Sequence, residues 1–292
     1  MIVWLASYPR SGSKLIRTVL KQTLSMDSYS EETPAEQQIS AISDVADLIR
    51  YREILGFREK ETSWDDFYHQ ATNAPSPILV KTHRLPKDSQ PAIYIVRDGR
   101  LALQSYMAFH RNYHPETGKR LFDLICGDDE YGDWSSHFNS WSGRSNGNFL
   151  LVRFEELVES SENLLHRIAA FIKHPGPIEK WQNPFEALKK LNPRQYGHGS
   201  PQWHANEAWS AEAMWLFWTM HGRLMVRLGY ATQETVRQQT EEIPSGLTKQ
   251  LLAHTLRLVR KKKELTRMSE EKEAVIQELK YECDRRLGLL QK

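Results

Sequence analysis

Arg10-Ser11-Gly12-Ser13-Lys14 brings two cations, two hydroxyls and a glycine into one short stretch, directly after the apolar run Ile2-Val3-Trp4-Leu5-Ala6 and Tyr8-Pro9. Residue types of this kind hold phosphate. Pro9, Ser11 and Gly12 mark a turn, and Ile16, Val19, Leu20 and Leu24 then recur at helical spacing, so the segment predicts strand, turn and helix. The first amides of a helix lack intrahelical partners and its dipole favours negative charge, which makes the turn an anion site to which Arg10 and Lys14 add fixed positive charge. The signature of ordinary nucleoside triphosphatases is absent, because no glycine lies five residues before Gly12 and Ser13 separates Gly12 from Lys14. A buried strand capped by a polar turn would leave a similar pattern without any ligand.

Two later strands also end in groups that can do chemistry. Pro77-Ile78-Leu79-Val80-Lys81-Thr82-His83 delivers Lys81 and His83 at its carboxyl end, where open parallel α/β sheets carry their ligands. An imidazole with an ordinary pKa of about 6.5 can take a proton from an attacking hydroxyl, so His83 is a candidate general base, although a surface histidine at a strand end would look the same. Ala92-Ile93-Tyr94-Ile95-Val96 runs into Arg97-Asp98-Gly99-Arg100, and a helical pattern follows that carries Ser105. Arg97 offers a planar fork and Ser105 a smaller donor, a pair suited to a terminal phosphate. Pairing of Arg97 with a nearby acid is the structural alternative.

Together and in this order, Tyr-Pro-Arg-Ser-Gly-Ser, Lys-Thr-His and Ile-Val-Arg-Asp-Gly-Arg with its later serine resemble the sulfotransferases that use 3′-phosphoadenosine 5′-phosphosulfate (PAPS). Phe149-Leu150-Leu151-Val152-Arg153-Phe154-Glu155-Glu156-Leu157 is similar to the family strand that ends in an aromatic and acidic pair. The resemblance covers roughly residues 1 to 230, with clear motifs in the first 160. It implies that Arg10 lies beside the transferred sulfuryl group, that Ser11, Gly12, Ser13 and Lys14 cradle the 5′-phosphate, and that Arg97 and Ser105 bind the 3′-phosphate. It further implies His83 as the base and Lys81 as a cation near the reacting sulfate. Sulfuryl transfer, like phosphoryl transfer, moves an anionic group between two roughly in-line oxygens, so side-chain cations can serve without a metal.

Several positions depart from the family pattern. Leu15 stands where many members have a tryptophan against adenine, Phe154 where a tyrosine is common, and Lys14 where a small hydroxyl residue is common. The late family loop, a basic residue and glycine ahead of Gly-x-x-Gly-Asp-Trp-Lys, is only faintly echoed in Gln195 to His204. Arg194 is the candidate 3′-phosphate cation there, with His204 behind it.

The rest of the chain must position these groups. Its 292 residues and 40% apolar content suffice for one large α/β domain and an appendage, and 39 Lys and Arg against 37 Asp and Glu leave a net charge of +2, too balanced for general nucleic-acid binding. Cys126 and Cys283 lack metal-ligand spacing, and no segment reaches the roughly 18 apolar residues of a membrane span, so the expectation is a soluble, cytoplasmic protein without a metal site. Residues 27–76 read as mostly helical and polar, with Trp64, Phe67 and Tyr68 in the core. Trp209, Trp215, Phe217 and Trp218 read as core too, and Ser210 as a helix cap.

The expected architecture is a central parallel sheet flanked by helices over residues 1–235, followed by a linker and a helical tail over 236–292. In the tail Leu251, Leu258 and Leu265 repeat every seven residues. Arg260-Lys261-Lys262-Lys263 reads as a solvated face. The repeat, whose phase slips toward Ile276, Leu279 and Leu290, allows a homodimer although Lys261 and Lys272 weaken its seam, and a helix that binds a partner or a membrane is the alternative. Three functions remain distinguishable. Sulfuryl transfer predicts a ligand with separate 5′ and 3′ phosphates, a kinase on a related loop predicts ATP with Mg²⁺, and a nucleotide-binding scaffold predicts that His83 is dispensable. The acceptor's class is open, because acceptor pockets are built from variable loops.

Overall fold

The computed structural model describes residues 1–32, 42, 44–144, 147–193 and 203–290. The chain divides into two compact units, Met1–Glu241 and Glu242–Lys292.

The first unit is built on a five-stranded, all-parallel sheet. Its strands are β1 (Ile2–Ser7), β2 (Ser28–Ser30), β3 (Ile78–Thr82), β4 (Ala92–Val96) and β5 (Phe149–Arg153), in the order β2-β3-β1-β4-β5. Every residue of β1 is buried, as its unbroken apolar run requires of a strand covered on both faces. The chain leaves β1 toward β2 and β3 on one side, then returns to β4 and β5 on the other. Such a reversal opens a crevice at the carboxyl ends of the strands on either side of it. Ala6 is level with Thr82, and Ser7 with Ile95, so the loops after β1, β3 and β4 emerge side by side.

Helix α1 (Ser13–Leu24) follows β1 and presents Ile16, Val19, Leu20 and Leu24 to one sheet face. There they join Val3, Leu5, Ile93, Ile95 and Val152, with Leu164 and Ile168 of α8 (Glu162–Phe171). Truncating a core leucine such as Leu20 typically costs about 2–5 kcal/mol. Before β3 come α2 (Val45–Leu55) and α3 (Trp64–Thr72); Trp64, Phe67 and Tyr68 of α3 are half-buried rather than core. Strand β2 lies within a stretch whose polarity reads as helical. It has three residues and two serines, too little for an alternating pattern, and its pairing with β3 makes it a strand.

Helix α4 (Gly99–Tyr113) starts directly after β4, capped by Asp98, whose carboxylate accepts from the Arg100 amide at 2.9 Å. Beyond it lie α5 (Leu121–Ile125) and α6 (Trp134–Ser142). Trp134, Phe138 and Trp141 of α6 are buried, and Tyr94 of β4 meets Phe138 edge to face at 5.3 Å. After β5 the chain forms α7 (Phe154–Glu159), α8 and α9 (Phe185–Leu191), then α10 (Ala211–Arg227). Ser210 caps α10 by accepting from Ala213, and Trp209, Phe217 and Trp218 are buried, whereas Trp215 is half-buried rather than core. Helix α11 (Gln233–Thr240) occupies the start of the stretch that composition marks as a linker; Thr232 caps it, and the Trp215 indole donates to the Thr240 carbonyl at 3.2 Å.

The second unit contains α12 (Leu247–Leu290), with Leu251, Leu258 and Leu265 exposed. Among the described residues no helix is long and apolar enough to cross a membrane.

Candidate functional site

The turn between β1 and α1 has an unusual backbone. Arg10 has φ 66° and Gly12 φ 114°, so the chain turns sharply into the helix. Gly12 serves as the N-cap without a side-chain hydrogen bond, and no acid lies in the first turn of α1. A Cβ on Gly12 would stand 2.8 Å from the Phe154 ring and 3.4 Å from Ile95. Both backbone and space therefore demand glycine. Gly12→Ala is expected to destabilise the protein by about 1 kcal/mol or more and to displace the loop, with a lower urea midpoint and weaker anion binding as the readouts.

Around this turn the side chains converge. Arg10 Nε donates to Ser105 Oγ on α4 at 3.1 Å, and the Arg10 guanidinium lies 5.6 Å from the centre of the Phe109 ring. Arg97, leaving the end of β4, donates from Nη1 to the Arg10 carbonyl at 3.2 Å and stacks over Phe154 at 4.3 Å. Burial, together with Arg10, lowers the Arg97 pKa. Among the described residues, Ser11 Oγ and Arg97 Nε are buried here without a hydrogen-bond partner. Lys14 donates to the Tyr51 hydroxyl of α2 at 3.0 Å. Desolvation and then the charges of Arg10, Arg17 and Lys81 push its pKa well below the usual lysine range.

The Lys-Thr-His end of β3 meets an acidic segment that follows β2. Lys81 Nζ pairs with Glu32 Oε2 at 2.9 Å, and the His83 amide donates to Glu32 Oε1 at 2.5 Å. Thr82 and Lys87 both donate to Glu31, at 2.5 and 3.0 Å. Burial pushes the Glu32 carboxyl up, but Lys81 and His83 outweigh it and hold the group at about 2. Burial also lowers the Lys81 pKa, against the pull of Glu32.

The His83 ring has one nitrogen committed. Its Nδ1 lies 2.7 Å from the Ser7 carbonyl, which can only accept, so Nδ1 carries the proton and Nε2 is left as the basic atom of the neutral ring. Desolvation and the Lys81 charge lower the imidazole pKa to about 3, so the ring is neutral at pH 7. The Tyr131 ring stands edge-on at 5.8 Å. His137 of α6 is fully buried; its Nε2 is 2.7 Å from the His83 carbonyl, and its Nδ1 is 2.8 Å from the Tyr94 hydroxyl. Burial lowers its pKa to about 4.

These two histidines make stability fall with acid. Their folded pKa values lie below the unfolded value of about 6.5, so below that pH the unfolded chain binds more protons, and stability is lost from pH 6.5 down to about 4 for His137 and about 3 for His83. Each histidine removes about 1.4 kcal/mol per pH unit once the pH is well below 6.5. The urea midpoint should drop between pH 7 and pH 5, above the window in which Glu32 titrates. A flat midpoint over that range would contradict the neutral assignment.

Arg10, Ser11 and Gly12 thus lie in the turn after β1, Ser13 and Lys14 in the first turn of α1, Lys81 and His83 at the end of β3, Arg97 just after β4 and Ser105 on α4, where the Arg10 side chain reaches its hydroxyl. Arg194 lies outside the described residues, as does the loop from Gln195 to Gln202. Glu32, Tyr51 and His137 belong to the same cluster but carry no motif of their own. Among the described residues no group of three or more His, Cys, Asp or Glu is arranged to hold a metal.

The fold is similar to that of a crystal structure of mouse sulfotransferase SULT7A1 complexed with PAP, with a TM-score of 0.50 over 82% of this chain and 87% of that one, at 15% identity. In sequence the chain is 26% identical over 184 residues to mouse and human Sulfotransferase 4A1. That match takes in 58% of this chain and 59% of theirs, so the chain spans about three fifths of the length of those relatives. Human Sulfotransferase 2A1 is 29% identical over 120 residues, 36% of this chain and 42% of that protein. The family model described as the sulfotransferase domain matches residues 2–212, well over half of the chain, which therefore belongs to the sulfotransferase domain family.

Proposed function

We propose that the protein transfers a sulfuryl group from PAPS to an acceptor hydroxyl, or less readily an amine, with His83 as general base. The observation that carries this is the pair of orphaned donors, Ser11 Oγ and Arg97 Nε, buried beside a helix start with no capping side chain. An unsatisfied buried donor costs about 1–3 kcal/mol, more when charged, and phosphate oxygens supply the acceptors it lacks. The residues present therefore fit a ligand with two anionic ends. Ser11, Ser13, Lys14 and the first amides of α1 would hold the 5′ end, and Arg97 with Ser105 the 3′ phosphate.

The donor, when bound, supplies an activated sulfuryl group. His83 Nε2 takes the proton from the acceptor, because Nδ1 is already donating to Ser7 and the ring is neutral. Lys81, kept beside the base by Glu32, adds positive charge where the sulfuryl moves. Arg10 neutralises charge that develops on the leaving phosphate. In this account the contact of Arg10 with Ser105 joins the two ends of the donor site, and either residue can move to the ligand.

Isothermal titration with adenosine 3′,5′-bisphosphate, beside ATP with Mg²⁺, tests the proposal. Preferential binding of the bisphosphate supports it. Preference for ATP with Mg²⁺ points to a kinase, and binding of neither to a scaffold.

A further inference from the structure

We propose that His137 is a positioning residue for His83, holding the main chain at the end of β3 so that the basic nitrogen of His83 keeps one place and one tautomer; the proposal rests on His83 being the base. Besides the donation of its amide to Glu32, two hydrogen bonds fix His83. Its ring is tied through Nδ1 to the Ser7 carbonyl at 2.7 Å, and its own carbonyl receives the His137 Nε2 proton at 2.7 Å. The first sets which ring nitrogen is basic. The second anchors the backbone that carries the ring.

His137 can act in this way because its own tautomer is set in turn. His137 Nε2 faces the His83 carbonyl, which can only accept, so Nε2 carries the proton and Nδ1 accepts from the Tyr94 hydroxyl at 2.8 Å. Tyr94 sits in the middle of the rigid sheet on β4, level with Ala6 of β1, and is 1% exposed. His137 is wedged between Tyr94 and Tyr8, with the Tyr8 ring edge-on at 5.7 Å. Tyr8 begins the anion loop, one residue after the Ser7 that holds the His83 ring. The chain Tyr94, His137, His83, Ser7 therefore links the interior of the sheet to both the base and the loop.

An ordinary core histidine does not need this directionality. A buried ring could satisfy its two nitrogens in many ways, but here one partner can only accept and belongs to the candidate base itself. Errors of about 1 Å in the placing of a reacting group cost on the order of 10²-fold in rate, so a hydrogen bond that pins the main chain of a base has a catalytic consequence.

The test uses the full chain with ¹⁵N-labelled histidine. Long-range ¹H–¹⁵N spectra report the tautomer of His83, assigned by the loss of its signals in His83→Gln. Wild type should show His83 protonated at Nδ1 alone. In His137→Phe, which keeps a ring but removes the donor, His83 should populate both tautomers, while affinity for adenosine 3′,5′-bisphosphate stays within about twofold. His137→Gln, whose amide can still donate, should restore the single tautomer. Tyr94→Phe should leave the fold intact and keep the His137 proton on Nε2, because the His83 carbonyl facing it can only accept. The proposal is overturned if His83 keeps one tautomer in His137→Phe, if Gln and Phe behave alike, or if bisphosphate affinity collapses together with the tautomer. Failure of the sulfotransferase reading would look different, as wild-type protein that does not bind the bisphosphate at all.

Discussion

His83→Ala is expected to lower sulfuryl turnover by about 10²- to 10⁴-fold while affinity for adenosine 3′,5′-bisphosphate stays within about twofold. The split follows from where the ring is tied. Nδ1 is held by the Ser7 carbonyl, which leaves Nε2 as the atom that takes the acceptor's proton. Removing the ring takes away proton acceptance and leaves Arg97, Ser105 and the turn before α1 in place.

The pH dependence carries the same signature. With the imidazole lowered to about 3 by desolvation and Lys81, the base is neutral throughout the range in which an ordinary histidine titrates. An anionic donor favours the protonated ring and moves that value upward, so the acid limb of the donor-bound protein should lie above that of the free protein but below pH 6.5. A kcat/KM that halves near pH 6.5, which reports the free protein, would contradict the lowered imidazole. Near-normal turnover in His83→Ala, with chemistry limiting, would remove His83 from the mechanism.

Arg97→Ala should weaken bisphosphate binding by on the order of 10²-fold, the second largest effect. Charge-assisted hydrogen bonds contribute about 1.5–3 kcal/mol each, and the Arg97 Nε is buried without a protein partner, so the ligand would be the group that satisfies it. Arg97→Lys should recover only part of the loss. A lysine carries the charge but not the planar fork, and it cannot both stack on Phe154 and reach the Arg10 carbonyl as the guanidinium does. The affinity of wild type should also fall with salt more steeply than that of Arg97→Ala. Equal titration curves for the two proteins would place the 3′-phosphate elsewhere.

The parts of this site legible in the sequence are those carried by contiguous residues. The run Ile2 to Ala6, the turn at Gly12 and the helical spacing of Ile16, Val19 and Leu20 predict β1 and α1 closely, because burial on both faces and the start of a helix leave local marks. Lys81, His83 and Arg97 sit at the ends of strands whose apolar runs are equally plain. The family resemblance added the order in which these pieces belong together.

What stayed hidden depends on the return of the chain. Glu32 lies in a polar stretch that reads as helical, and only the pairing of the short β2 with β3 brings its carboxylate to Lys81. His137 is one of several histidines in the middle of the chain, without ligand spacing. Its relation to His83 arises from the packing of α6 against β4. Tyr51 reaches Lys14 because α2 packs beside α1, and the Arg10 to Ser105 contact spans two elements that the sequence assigns to opposite ends of one ligand. Tyr113, Trp134, Phe138 and Trp141 are aromatic candidates for an acceptor pocket by type alone, but aromatic residues more often report packing, and all four are buried.

The most direct measurement of the central claim is transfer of radiolabelled sulfur from [³⁵S]PAPS, in the presence of a mixed panel of phenols, sugars, alcohols and amines, by wild type and His83→Ala side by side. The account predicts a labelled product with equimolar release of adenosine 3′,5′-bisphosphate from wild type, and loss of nearly all of it in His83→Ala. A variant that transfers label as fast as wild type, or a wild type that binds the bisphosphate yet transfers to no member of the panel, would contradict it.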